Sequence, residues 1–176
     1  MAASYTNDDG ADNTDGMLDV GRLRELLNYD PETGVFTWRV ARKGRFKGSV
    51  AGSTDSNGYR TIRLDDVLYL EHRLAVLYMI GEWPKATVDH INGERADNRW
   101  TNLREATWSQ NLANRSPNKN NTSGAKGVWW NKRRSKWTAA VTVDRKAIHL
   151  GYFLTVGSAE AAYKEAAKRY FGEFAA

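Results

Sequence analysis

The sequence predicts an α+β chain in three parts. These are a small β-rich N-terminal region, a central strand–loop–strand–helix unit, and a C-terminal three-stranded antiparallel sheet packed on one helix. Three observations point there. Short alternating apolar runs at 35–40, 59–64 and 67–70 gather in the first part. In the middle, Val88-Asp89-His90 is broken by Asn92-Gly93 and followed by Thr107-x-x-Gln110, a capping box that opens a helix. In the last part, three further apolar runs precede one alanine-striped helix.

Composition narrows the classes. The 176 residues suffice for one ordinary domain or two small ones, and a hydrophobic fraction of 41% argues against one large core. A net charge of +5 with seven Trp points to nucleic acid, with an acidic protein partner as the other reading. The absence of Cys excludes disulfides and Cys-ligated zinc. No apolar run reaches the ~18 residues of a membrane span, and no signal peptide is evident. A soluble, intracellular protein with no membrane partner is expected.

In chain order, residues 1–16 are small, acidic and turn-rich, and are expected to be a disordered tail. Leu18, Leu23, Leu26 and Leu27 have near-helical spacing, so a short helix should end before Asp30-Pro31. A strand over 35–40 follows Glu32-Thr33-Gly34. Arg42, Lys43, Arg45 and Lys47 surround Gly44 and Gly48 in a flexible basic loop, either a solvated surface or a phosphate contact. The runs 59–64 and 67–70 form a hairpin across Asp65-Asp66, with Arg60 outside the core. Residues 71–80 are helix formers, apolar nearly all round, and stop at Gly81. This is a packing helix, and His72 within it reads first as a structural residue. The polar run 117–124 reads as a linker.

Beyond residue 115 the composition shifts, with eleven Lys and Arg against four Asp and Glu, a surplus of seven. Strands are expected at 127–130, 137–143 and 147–153. Ser158 should cap a helix running to about Phe171, with Ala159, Ala162, Tyr163, Ala166 and Tyr170 as its apolar stripe.

The chemistry-bearing pair is Asp89-His90. On a strand, alternation sends neighbouring side chains to opposite faces, so both serve one site only if the strand ends or twists there. Asn111 falls in the first turn of the capped helix. A carboxylate and an amide oxygen are hard ligands suited to Mg²⁺ or Mn²⁺, and an adjacent imidazole suits activation of water.

Asp89-His90, Asn92-Gly93, Asp97-Asn98, Asn102-Leu103-Arg104 and Asn111 occur in an order that resembles the HNH endonuclease family, in its intron- and phage-encoded homing branch. The resemblance implies a ββα-metal (HNH) nuclease fold over 69–116; the β-rich region over 17–68 that precedes it is read from its own residues, either as a solvated surface or as an extension of the DNA footprint. The resemblance also implies His90 as general base, Asn102 as the residue that holds the loop and orients the base, and Asp89 with Asn111 as metal ligands. His72-Arg73-Leu74 also recurs in that family, which adds His72 and Arg73 as phosphate contacts, while Arg99 and Arg104 add charge around the site.

Residues 125–176 resemble the Apetala/ethylene-response-factor type of DNA-binding domain, through Lys126-Gly127-Val128, 136–140, 149–153 and 158–162. By position Trp130, Lys132, Arg134, Lys136, Thr138, Ala140, Thr142 and His149 match DNA-facing sites. Trp129 and Trp137 fit a core role at least as well.

Together the two resemblances imply a metal-dependent endonuclease on double-stranded DNA, a monomer or a DNA-assembled dimer, acting in the host-cell interior. A non-catalytic DNA-binding regulator with a degenerate HNH clip and an RNA-processing nuclease are the competing classes.

Overall fold

A computed structural model describes residues 18–41, 44–118 and 120–175. The expected tail over 1–16, and Arg42, Lys43 and Lys119, lie outside the described residues. Chain contacts divide the molecule into two compact units, Met1–Ala106 and Thr107–Ala176.

The first unit opens with α1 (Val20–Leu26), capped by Asp19, whose carboxylate accepts from the Arg22 N–H at 2.7 Å. The expected helix ends at Leu26, because Leu27 turns extended (φ −128°) and begins a strand. That strand, β1 (Leu27–Asp30), pairs antiparallel with β2 (Val35–Trp38). Leu27 lies opposite Trp38 and Tyr29 opposite Phe36, and the cross-strand rings of Tyr29 and Phe36 sit 4.7 Å apart. The helical spacing of the leucines concealed this strand. Asp30 builds the connecting turn, accepting from the Glu32 N–H and the Thr33 hydroxyl.

β3 (Ser53–Thr54), β4 (Arg60–Leu64) and β5 (Val67–Leu70) form a three-stranded sheet. The Asp65-Asp66 turn holds both residues at positive φ, 43° and 68°, as a two-residue hairpin turn needs. α2 (Glu71–Ile80) follows and stops at left-handed Gly81. A second hairpin pairs β6 (Thr87–His90) with β7 (Leu103–Ala106). One core joins these elements apart from the exposed β3, running from Leu23 and Phe36 through Ile62, Leu74 and Leu77 to Val88 and Leu103. The core therefore crosses the expected division between residues 68 and 69. Arg60, expected outside the core, is partly buried and paired with Glu71.

The second unit begins with α3 (Trp108–Asn114), whose capping box joins Thr107 and Gln110 as the sequence predicts. β8 (Val128–Asn131), β9 (Lys136–Val143) and β10 (Lys146–Phe153) form the expected antiparallel sheet, with β9 central. α4 (Val156–Phe171) packs on it through Ala159, Tyr163, Ala166 and Phe171. Its cap is Thr155, which accepts from the Ser158 N–H at 3.1 Å, and not Ser158 itself. The run expected as a linker is an organised turn in its described part: Asn121 Oδ1 accepts from the N–H groups of Ser123 and Gly124, and Ser123 Oγ donates to the Val128 carbonyl. Lys126 Nζ donates to the Leu112 carbonyl at 2.8 Å, and Ser109 meets Asp144, so α3 belongs with this sheet.

Gly34 closes the β1–β2 turn at φ +72°, and a methyl group there would lie 2.4 Å from the Asn98 carbonyl carbon and the Arg99 nitrogen. Gly44 has a similar φ of +74° with open space around it. Gly34→Ala should therefore destabilise the chain by about 2–4 kcal/mol and Gly44→Ala by about 1 kcal/mol, read by denaturant unfolding. Equal costs would show that the turn does not bear on the loop at Asn98.

Candidate active site

β6 ends at His90, and its register places Asp89 opposite Arg104 and His90 opposite Leu103. Alternation would send the two side chains to opposite faces within a strand, but β6 ends at His90, the condition under which both can serve one site. Both are buried, at 4% and 5% exposure. Asp89 Oδ2 accepts from Arg104 Nε at 3.0 Å and lies at ion-pair distance, 3.0 Å, from its Nη2. Arg104 was expected among the DNA contacts, but its side chain is largely enclosed and engaged with this carboxylate.

Asn102 holds the loop between the two strands. Its Oδ1 accepts from the Asn92 N–H at 3.0 Å, and its Nδ2 donates to Asn92 Oδ1 at 3.0 Å and to the Asp97 carbonyl at 2.8 Å. The side-chain bond to His90, however, comes from a different residue: His90 Nε2 lies 3.0 Å from Asn98 Oδ1. Asn98 Nδ2 in turn donates to Glu71 Oε2 at 3.3 Å, and Glu71 pairs with Arg60 at 3.0 Å. Asn98 and Glu71 are 2% and 1% exposed. Sequence reasoning missed both, and the only signal was the Asp97-Asn98 pair already quoted for the loop.

His72 and Arg73, expected as phosphate contacts, are each 5% exposed, so neither offers a cation to a backbone at the surface. His72 meets His90 edge to face, with centroids 5.1 Å apart, and Tyr59 packs on both rings. Burial holds the His72 pKa well below the ordinary imidazole value, and the charges of His90 and Arg73 push the same way. Burial also lowers the His90 pKa, outweighing the Asn98 bond and the nearby Asp89 and Asp97. Arg99 is exposed and chelates Asp97, which brings that carboxyl down to about 2. Arg45 stacks on Trp38 at 4.5 Å and Lys47 is exposed, with Phe46, 77% exposed, between them.

Asn111 lies on α3 in the second unit, where its N–H donates to the Thr107 carbonyl. Among the described residues no three His, Cys, Asp or Glu converge as a metal cluster. Asp89 in the first unit and Asn111 in the second each carry a hard oxygen donor of the kind that suits Mg²⁺ or Mn²⁺.

In the second unit, register and burial separate the two sheet faces. Val128, Ala139 and Val141 lie under α4. Trp130 shares their face and meets Trp137 at 5.3 Å, so it is not on the open face where a DNA contact was expected. The open face carries Lys136, Thr142 and His149, all exposed, with Lys132 and Arg134 in the β8–β9 turn. Thr138 also belongs to it but is 2% exposed, enclosed between its register partners Trp129 and Tyr152. Trp129, at 47% exposure, is an open-face residue rather than a core one.

Residues 69–113 match the HNH endonuclease family. The HNH segment thus runs from β5 to α3 and contains Asp89, His90, Asn98, Asn102 and Asn111. Over 59 residues, 34% of its length, the chain is 41% identical to "Protein 3.8" of Escherichia phage T7. The chain spans about half the length of that relative, 49%. A solved structure titled as DNA binding and cleavage by the HNH homing endonuclease I-HmuI is 24% identical and is matched over 55% of each chain at a TM-score of 0.42. No helix among the described residues is long and apolar enough to cross a membrane.

Asn102→Ala removes three hydrogen bonds that a buried side chain makes to an exposed loop. It should cost about 2–4 kcal/mol of stability and speed amide exchange over residues 92–97. Unchanged exchange there would show that the loop holds without it.

Proposed function

We propose that the chain is a metal-dependent HNH endonuclease that hydrolyses phosphodiester bonds in double-stranded DNA. The observation that carries this reading is His90, buried, held neutral and adjacent to Asp89 inside the segment that matches the HNH family. His90 accepts a proton from water as the water oxygen bonds to phosphorus. The bond from phosphorus to the 3′-oxygen breaks, and that oxygen takes a proton from solvent, leaving a 5′-phosphate and a 3′-hydroxyl. Asp89 and Asn111 would hold one Mg²⁺ or Mn²⁺, which supplies charge stabilisation at the phosphoryl oxygens when bound. Asn102 keeps the loop closed behind the base. One such site per chain nicks one strand, and a DNA-assembled dimer cuts both. The phage relative is in keeping with action inside a host cell.

His90→Ala should reduce cleavage of supercoiled plasmid in Mg²⁺ or Mn²⁺ by about 10²–10⁴-fold while DNA affinity stays near wild type. A chelator should abolish cleavage by the wild-type chain. Because burial disfavours imidazolium, the base stays neutral to below pH 6.5, so the acid limb of the rate profile should lie below that value. Plasmid that stays supercoiled with the wild-type chain would make it a DNA-binding regulator, and preferential cutting of RNA would make it an RNA nuclease.

The second unit, in this proposal, holds DNA with the open face of its sheet. Lys132, Arg134 and Lys136 contact phosphates while Thr142 and His149 face the groove. A basic, aromatic open face supports this, with Arg134 stacked on Tyr152 at 4.5 Å and His149 beside the same ring at 4.6 Å. Arg134→Ala and Lys136→Ala should each lower the slope of log affinity against log salt by about 0.9, whereas Trp130→Phe should leave it unchanged. Identical slopes in all three variants would remove this face from the interface.

A further inference from the structure

The HNH segment buries a carboxylate that the proposed chemistry does not use. Glu71 is 1% exposed, and its two oxygens accept from Arg60 Nε at 3.1 and 3.2 Å. Arg60 Nη2 also donates to the Ala51 carbonyl at 2.7 Å, which fixes the guanidinium. Burial raises the Glu71 pKa, while the Arg60 pair and the Asn98 amide oppose that rise. A guanidinium chelating both oxygens selects the ionised carboxylate.

An ionised carboxylate only accepts hydrogen bonds. The Asn98 group facing Glu71 must therefore be its NH₂, at 3.3 Å, which turns Oδ1 towards His90. The opposite amide orientation would set two acceptors against each other in a buried site, where a polar group left without a partner is destabilising. Asn98 is fixed at its backbone as well: Tyr29 donates its hydroxyl to the Asn98 carbonyl at 2.7 Å, and Gly34 packs against the 98–99 peptide. Oδ1 likewise only accepts, so His90 Nε2 is the donor across 3.0 Å. A neutral imidazole has one N–H, which leaves the lone pair on Nδ1.

We infer that Glu71 and Asn98 are positioning residues that hold His90 as its Nε2–H tautomer, making Nδ1 the atom that takes the proton from water. This rests on the nuclease reading for the identity of the reaction, but the tautomer itself does not depend on it. Neither residue touches the substrate. Their contribution is a ring held at one angle with its basic nitrogen outward from Asn98.

The test begins with the wild-type full-length chain. A long-range ¹H–¹⁵N correlation spectrum, at a pH where imidazole is neutral, reports which ring nitrogen carries the proton, with His90 identified by its loss in His90→Gln. The expected pattern is a single Nε2–H tautomer. An Nδ1–H ring, or an even mixture, would overturn the inference whatever the activity. In Glu71→Gln the new amide presents either oxygen or NH₂ to Asn98, so both orientations of Asn98 become allowed. The expected result is a mixed tautomer and a kcat lowered roughly 10–100-fold, with KM for DNA within about twofold of wild type. Retention of both the single tautomer and kcat would overturn it. If Glu71→Gln does not fold, Asn98→Ser carries the same comparison. A wild-type chain that shows the Nε2–H tautomer and cuts nothing would defeat the nuclease reading alone. One that cuts DNA with an Nδ1–H ring would defeat the positioning role alone.

Discussion

Burial of the Asn98 carboxamide constrains much of the first unit. A stranded polar group of this kind costs on the order of 1–3 kcal/mol, so each of its atoms must be matched. The carboxamide is matched by Glu71 on α2 and His90 on β6, while Tyr29 on β1 donates to the Asn98 backbone carbonyl and the glycine of the β1–β2 turn packs against the 98–99 peptide. Arg60 on β4 then neutralises Glu71. The N-terminal region, expected chiefly as a DNA-contacting addition, is thereby the scaffold of the site. Its hairpins bring the parts that fix one loop residue, and that loop residue fixes the histidine.

Periodicity and turn chemistry made much of the fold legible. The Asp65-Asp66 hairpin, α2 with its Gly81 stop, the Thr107–Gln110 capping box and the three C-terminal strands fall where alternation and capping put them. The misses have physical causes. Four leucines at helical spacing concealed β1, whose extended form depends on pairing with β2, a non-local contact. Trp130 was placed on the wrong face because parity along β8 is set by which residue lies under α4, and that residue is Val128. Thr138 has the right parity but lies enclosed between two rings, which only the register reveals.

The site shows the same division. Adjacent letters displayed Asp89 and His90, and the Asn102 role in holding the loop follows from the turn it closes. Nothing in the letters separates Asn98 from Asn102 as the partner of the ring, since both belong to one polar loop and the choice depends on a carboxylate 27 positions from Asn98. Charge counting fails for a related reason. Arg60 and Arg104 pair with carboxylates that are almost fully enclosed, whereas Lys136 and Arg134 meet solvent. Only the latter kind contributes to a salt-dependent hold on DNA. Removing Arg104 would leave an enclosed carboxylate short of its countercharge, a structural loss rather than a lost contact with a backbone.

Two opposing influences act on His90, and their balance is what would make it serviceable as a base in the proposed reaction. The bond to Asn98 and the nearby carboxylates favour the charged ring; burial disfavours it and prevails. A histidine on the surface with the same neighbours would be drawn towards imidazolium and would have no lone pair to offer. A histidine buried without Asn98 would be neutral but free to turn, with either nitrogen protonated. Enclosure supplies the neutral state and the Asn98 bond supplies the direction, so neither feature alone would yield a base aimed by one nitrogen. The Tyr59 and His72 rings, packed against His90 at 6.2 and 5.1 Å, complete the enclosure with groups that bring no negative charge to the imidazole. A carboxylate in place of either would stabilise imidazolium and undo the neutrality that burial confers.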